Sequence, residues 1–150
     1  RLDILVNDPA KCEEIFKTLG WAAYIPKWPG PDAGERPAAY IVILGDEELA
    51  VDMRVDLGIS IQTMFLGARA MGLAGCMFGS INRGKLAGAV DVESESDILL
   101  VLALGEAAEE CVVETVGDDG NIKYWRDDAG VHHVPKRDLA GLIAGTFPAE

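Results

Sequence analysis

The segment Asp56-Leu-Gly-Ile-Ser-Ile-Gln62-Thr-Met-Phe-Leu-Gly-Ala-Arg69-Ala-Met-Gly72 constrains the fold of this chain more than any other. Its apolar residues fall on nearly every side of a helix, not on one stripe, which predicts a helix buried on most sides. The helix begins between Asp46 and Asp56 and ends at Gly72. Gly58, Ser60, Gly67 and Ala68 are small enough to let another helix come close. A chain of 150 residues has room for one compact domain and few neighbours for such a helix. Burial all round therefore points to a second subunit.

Charge narrows the partners. The formal net charge is -12, and a surface that acidic repels nucleic-acid phosphates and anionic membranes. Neither is expected as a partner, so any bound anion needs a local basic cluster. Apolar residues are 49% and charged residues 25%, a globular balance. Cys12, Cys76 and Cys111 are odd in number, widely spaced and free of C-x-x-C, which suggests neither a disulfide framework nor a zinc site. A reducing, cytoplasmic setting follows as the default. No stretch is long and apolar enough to span a bilayer. The chain opens at Arg1 and runs at once into Leu2–Val6, which reads as a strand, so the sequence looks like an N-terminally trimmed record.

Asp8 and Pro9 start a helix, as cap and first position, with Ile15, Phe16 and Leu19 inward and Gly20 at its end. Residues 21–31 carry three prolines and three large aromatics and form a stiff, irregular loop. Ala38 to Leu44 and Ile98 to Leu104 are strands buried on both faces. Gly72 to Gly79 is a glycine-punctuated turn holding a short strand, and Ser80 or Asn82 caps a helix through Leu86. The tail reads as successive hairpins: Cys111–Val116, a turn at Gly117–Gly120, Asn121–Arg126, a turn at Asp127–Gly130, then Val131–Val134. Leu139, Leu142 and Ile143 suggest a last helical turn. Without a regular β-α-β beat, one α+β domain over 1–150 is expected.

Four places could carry chemistry. Lys136 and Arg137 could clamp a phosphate, or form a solvated turn. The glycines of Gly75-Cys76-Met77-Phe78-Gly79 let backbone N–H groups approach a flat ligand, or simply serve the end of the helix and the start of a strand. Trp21, Tyr24 and Trp28 could wall a pocket for planar substrates, or pack beneath the proline-rich loop. His132 and His133 point to opposite faces of a strand, and with no carboxylate or third histidine at suitable spacing a structural role is expected instead of a metal site. Cys76 reads as a reactive thiol or as a small buried one.

Taken together, the blocks resemble the nitroreductase family: Arg36–Leu44, Asp56–Ala68, Met71–Ile81, Leu100–Gly105 and the tail Ile122–Arg137 occur in the family's order. The resemblance implies an α+β fold with a central, mainly antiparallel sheet flanked by helices, and an intimate homodimer. It implies FMN at the interface, with Gly75, Cys76, Met77, Phe78 and Gly79 along the flavin ring near its N5 and O4 edge. It places Lys136 and Arg137 at the phosphate, and Trp21, Tyr24 and Trp28 near the substrate mouth. Hydride would pass from NADH or NADPH through flavin to a nitroaromatic, quinone or similar acceptor, with no side chain acting as acid or base. The family's N-terminal helix with its arginine-rich phosphate motif has no counterpart before Leu2. Two alternatives stand beside this reading: other flavin chemistry on the same fold, and a flavin-free dimerisation module.

Overall fold

The computed structural model describes residues 2–45, 53–94 and 98–147. The chain divides into two compact units, Arg1–Trp21 with Pro29–Ala107, and Ala22–Trp28 with Ala108–Glu150.

The first unit is built on a four-stranded sheet in the order β1-β2-β4-β3, antiparallel throughout. Its strands are β1 (Leu2–Val6), β2 (Ala39–Leu44), β3 (Ala74–Phe78) and β4 (Ile98–Gly105). The helices are α1 (Pro9–Phe16), α2 (Met53–Ala70) and α3 (Arg83–Ala89). The α+β architecture expected from the sequence is therefore present. The two long apolar runs became β2 and β4, the central pair, because only a central strand can hide both of its faces. Alternate residues serve opposite layers. Tyr40, Val42 and Leu44 of β2 pack with Cys12, Ile15 and Leu86 from the α1 and α3 side. Ile43, between them in sequence, packs with Ile61 of α2 and Leu102 of β4.

Local chemistry sets the helix ends. Asp8 accepts from the Lys11 N–H and Pro9 opens α1, as expected. The helix stops at Phe16 and not at Gly20: Leu19 forms a bridge with Ile81, and the Gly20 N–H donates to the Ser80 carbonyl. At the end of α2, Gly72 adopts φ +85° and the Leu73 N–H reaches back to the Ala68 carbonyl, a Schellman closure that needs a left-handed residue. Asn82 caps α3, which runs to Ala89, one turn beyond Leu86.

Helix α2 is covered on one side by its own chain. Within the chain a single stripe, Leu57, Ile61, Met64, Phe65 and Ala68, turns inward. A second apolar stripe remains open, with Val55 59%, Ile59 63% and Leu66 59% exposed. The sequence showed the apolar surface; one chain covers half of it. The expected start of α2 lies partly among residues 46–52, outside the described residues.

The second unit holds a three-stranded sheet of β5 (Cys111–Thr115), β6 (Trp125–Arg126) and β7 (His132–Lys136), in the order β5-β7-β6. This corrects the tail read as consecutive hairpins. β5 and β7 are parallel, and β7 is the middle strand. The turn at Gly117–Gly120 closes, but beyond it the Asp119 carboxylate takes the Asn121 N–H and the Asn121 side chain takes the Lys123 N–H. Those local bonds spend the amides that a returning strand would need. The second turn works as expected: Asp127 accepts from Ala129 and Val131, Gly130 sits at φ +85°, and β6 pairs antiparallel with β7. Pro135 fits the middle strand because the amides of β7 alternate in direction. The His132 N–H donates to Glu110 on the β5 side, so position 135 faces the other way, beyond the reach of the two-residue β6. The last helical turn is the 3-10 segment Ala140–Leu142.

Candidate functional site

Among the described residues β3 is an outer strand of its sheet, paired with β4. An outer strand presents alternate N–H and C=O groups away from its neighbour. Its residues do different jobs. A Cβ on Gly75 would lie 2.4 Å from the Ala103 carbonyl oxygen, so this glycine is required by close packing on β4. Phe78 is buried, with its ring 4.7 Å from Trp21. Cys76 and Met77 are exposed, which sets aside the buried-thiol reading of Cys76. Among the described residues nothing lies within 4 Å of where a Gly79 Cβ would be, so a flat molecule could come close to the backbone there. The glycines at the two ends of the segment are thus present for different reasons, one internal and one facing outward.

Lys136 closes β7 and Arg137 follows it; both are exposed. Neither meets a carboxylate within ion-pair distance among the described residues. In a chain of net charge -12, two adjacent cations are a local departure from the overall field.

The three loop aromatics divide between the two units. Trp21 belongs to the first unit, between the rings of Phe16 (4.9 Å) and Phe78, with its indole N–H directed at the Phe16 carbonyl. Arg36 stacks on the other part of this cluster, 4.0 Å from the Phe16 ring centre, and pairs with Glu13, whose carboxyl it holds below the ordinary range. Tyr24 and Trp28 belong to the second unit. Tyr24 packs on Tyr124 at 4.9 Å, and Trp28 lies beneath the Arg126 guanidinium at 4.2 Å.

No carboxylate stands at suitable sequence spacing from the histidines, which were expected to take a structural or outer-shell role, and the fold brings three to them. His132 Nδ1 lies 3.2 Å from Glu109, which also pairs with Arg126. His133 lies between two carboxylates, 2.6 Å from Glu114 through Nδ1 and 3.4 Å from Asp127 through Nε2, with its ring stacked 4.1 Å from Trp125. The histidines do face opposite sides of β7, as alternation requires. Sequence spacing hid these partners because they come from β5, the turn after β6 and the segment before β5. The Glu109, Cys111 and His132 donor atoms lie within 4.8 Å of one another. Arg126 supplies positive charge to Glu109, and burial followed by the nearby Glu109 charge pushes the Cys111 thiol up. The arrangement is that of an ion-pair cluster. Glu109 itself stays below the usual carboxylate range: burial would raise it, and the His132 and Arg126 hydrogen bonds outweigh that.

The model of the nitroreductase family matches residues 9–106. The chain belongs to that family. This nitroreductase-family chain is also similar in fold to solved structures. One is an FMN-dependent nitroreductase from Clostridium difficile R20291, at 19% identity and TM-score 0.54, covering 73% of this chain and 64% of that one. Another is an NADPH:FMN oxidoreductase from Vibrio harveyi complexed with NAD+, at 23% identity and TM-score 0.52, covering 72% and 50%. A nitroreductase family protein from Clostridium novyi NT, at 16% identity and TM-score 0.54, covers 92% and 72%. The chain thus spans 64% and 50% of the length of the first two. No curated protein sequence matches it. The family match takes in β3 and the loop aromatics and stops before the second unit's sheet, so Lys136 and Arg137 rest on the tail's own chemistry.

Proposed function

We propose that this chain is the flavin-binding part of an FMN-dependent oxidoreductase that takes hydride from NADH or NADPH and reduces an electron-poor small molecule such as a nitroaromatic or quinone. The observation that carries the reading is the glycine-bounded outer strand β3, ending at Gly79, in a chain of the nitroreductase family. The residues fit the cofactor. Backbone amides of Gly75, Cys76, Met77, Phe78 and Gly79 would hold the ring edge, where fixed N–H dipoles favour an electron-rich partner. Lys136 and Arg137 would hold the phosphate. Bound FMN would supply the hydride chemistry, and the chain would supply binding and orientation. Tyr24 and Trp28, held by Tyr124 and Arg126, would border the acceptor's approach, with Trp21 supporting the loop from within its own unit.

The proposal includes a homodimer in which the Val55, Ile59 and Leu66 stripe is covered by a second copy, and the two units serving one functional domain. Three free cysteines suit a reducing, cytoplasmic setting. Among the described residues no helix is long and apolar enough to cross a membrane.

The test is to add FMN to the purified chain, follow flavin absorbance through gel filtration, then add NADH or NADPH anaerobically. Retained colour that bleaches with one nucleotide and returns with a quinone is the expected result. A colourless, folded dimer that holds no flavin would favour a dimerisation module instead.

A further inference from the structure

His133 sits where three strands can be tied by one ring. From β5, Glu114 approaches its Nδ1 at 2.6 Å. From the segment after β6, Asp127 approaches its Nε2 at 3.4 Å, while Asp127's other oxygen accepts the Ala129 and Val131 N–H groups of the turn. From β6 itself, Trp125 stacks on the ring at 4.1 Å and 11° between planes. These are the groups that face it, two carboxylates and one indole; the Glu109–Arg126 pair meets His132 on the opposite side. A neutral imidazole has one N–H and one lone pair, so it can satisfy only one of the two carboxylates. The imidazolium donates to both. The ring is therefore a three-strand tie whose strength depends on its second proton.

The tie lies three residues before Lys136 along β7, and Glu114 pairs in register with Pro135, immediately before it. Straightening or loosening β7 at His133 displaces the cation pair that β7 delivers. We propose that His133 is a positioning residue for the phosphate grip of Lys136 and Arg137, its doubly bonded ring fixing the strand that presents them and making anion affinity depend on pH. This rests on the FMN reading given above.

The direction follows from the surroundings. The Glu114 hydrogen bond, with Asp127 adding to it, holds His133 above its ordinary value of 6.5 against a smaller opposing effect of desolvation. A group raised on folding contributes fully below its unfolded value and loses that contribution as pH rises through the folded one. The grip should therefore be firm near pH 6.5 and weaken on the alkaline side.

The experiment compares FMN with riboflavin, which has the same ring and no phosphate. Binding of each by the full chain is read from flavin fluorescence between pH 6.5 and 9, for the wild type, His133→Gln and Glu114→Gln. Hydrogen exchange of residues 111–136 reports whether the variants keep the sheet, and Glu114→Gln retains the stacked ring if His133→Gln does not fold. The phosphate's own titration is common to all three proteins and cancels in the comparison. We expect each variant to lose FMN affinity by about threefold to tenfold, the scale of coupling through a packed element, with riboflavin unchanged. The ratio of the wild-type preference for FMN to that of His133→Gln, from which the phosphate's titration cancels, should fall as pH rises. Equal losses for FMN and riboflavin, or a ratio that does not change with pH, would overturn the proposal while leaving the flavin reading intact. No flavin bound by the wild type at any pH would overturn both.

Discussion

The two units of this chain are held by different forces. Every buried residue among those described lies in the first unit, and the second has none. The first closes around β2 and β4, where Val42, Ile43, Val101 and Leu102 are fully shielded from water. The second relies on ion pairs and ring contacts: Arg126 with Glu109 and Trp28, His133 with Glu114, Asp127 and Trp125, and Tyr24 with Tyr124. Apolar burial is non-directional and grows with area, so it makes a cooperative body. Half-exposed charge pairs are individually weak and respond to salt and pH. Solution conditions should therefore tune the second unit and leave the first almost unmoved.

The sharpest way to break that comparison is Leu102→Ala. Removing a fully buried side chain from a central strand should cost about 2–5 kcal/mol and should unfold the first unit at markedly lower urea. A loss under ~1 kcal/mol would show a core far looser than its burial implies. Next in size is Arg126→Ala, which removes both an ion pair and the cover of Trp28. It should cost about 1 kcal/mol, and hydrogen exchange should quicken at 22–28 and 109–132 with β2 and β4 unaffected. Acid is a third lever. Glu109 and Asp127 both sit below their ordinary values of 4.5 and 3.8, Asp127 chiefly through the Val131 N–H. Carboxylates depressed on folding stabilise above their unfolded values and stop doing so as pH falls through the folded ones. Below about pH 4 the second unit should lose exchange protection first; simultaneous loss in both would merge the two into one cooperative body. The smallest effect is expected from Ile59→Ser at low protein concentration, within about 0.5 kcal/mol of wild type because the side chain is already in water. The same change should weaken self-association, read by analytical ultracentrifugation, if the outer stripe of α2 meets a second copy.

Legibility in the sequence followed the same division. Hydrophobic period placed β1, β2, β4 and α1, and glycine chemistry placed the end of α2, because those signals are local. What failed needed information from distant residues. The parallel pairing of β5 with β7 depends on Asn121 and Asp119 capturing amides that a hairpin would use. The carboxylates around His132 and His133 come from positions 109, 114 and 127, and no spacing rule links them. That Trp21 packs between Phe16 and Phe78 in one unit while Trp28, seven residues on, belongs to the other was likewise not visible in the spacing. For the candidate site, the glycine segment and the cation pair were visible as residue types. That Gly75 and Gly79 serve opposite needs was not.

The carbonyl of Ala103 standing 2.4 Å from the missing Cβ of Gly75 has an evolutionary consequence. Drift along this edge can sample new chemistry at positions 76, 77 and 79, while any side chain at 75 would prise the outer strand from its neighbour. Substitution is thereby funnelled into three positions, and a randomised library over 75–79 should return glycine at 75, an apolar residue at the buried 78 and variety at 76, 77 and 79.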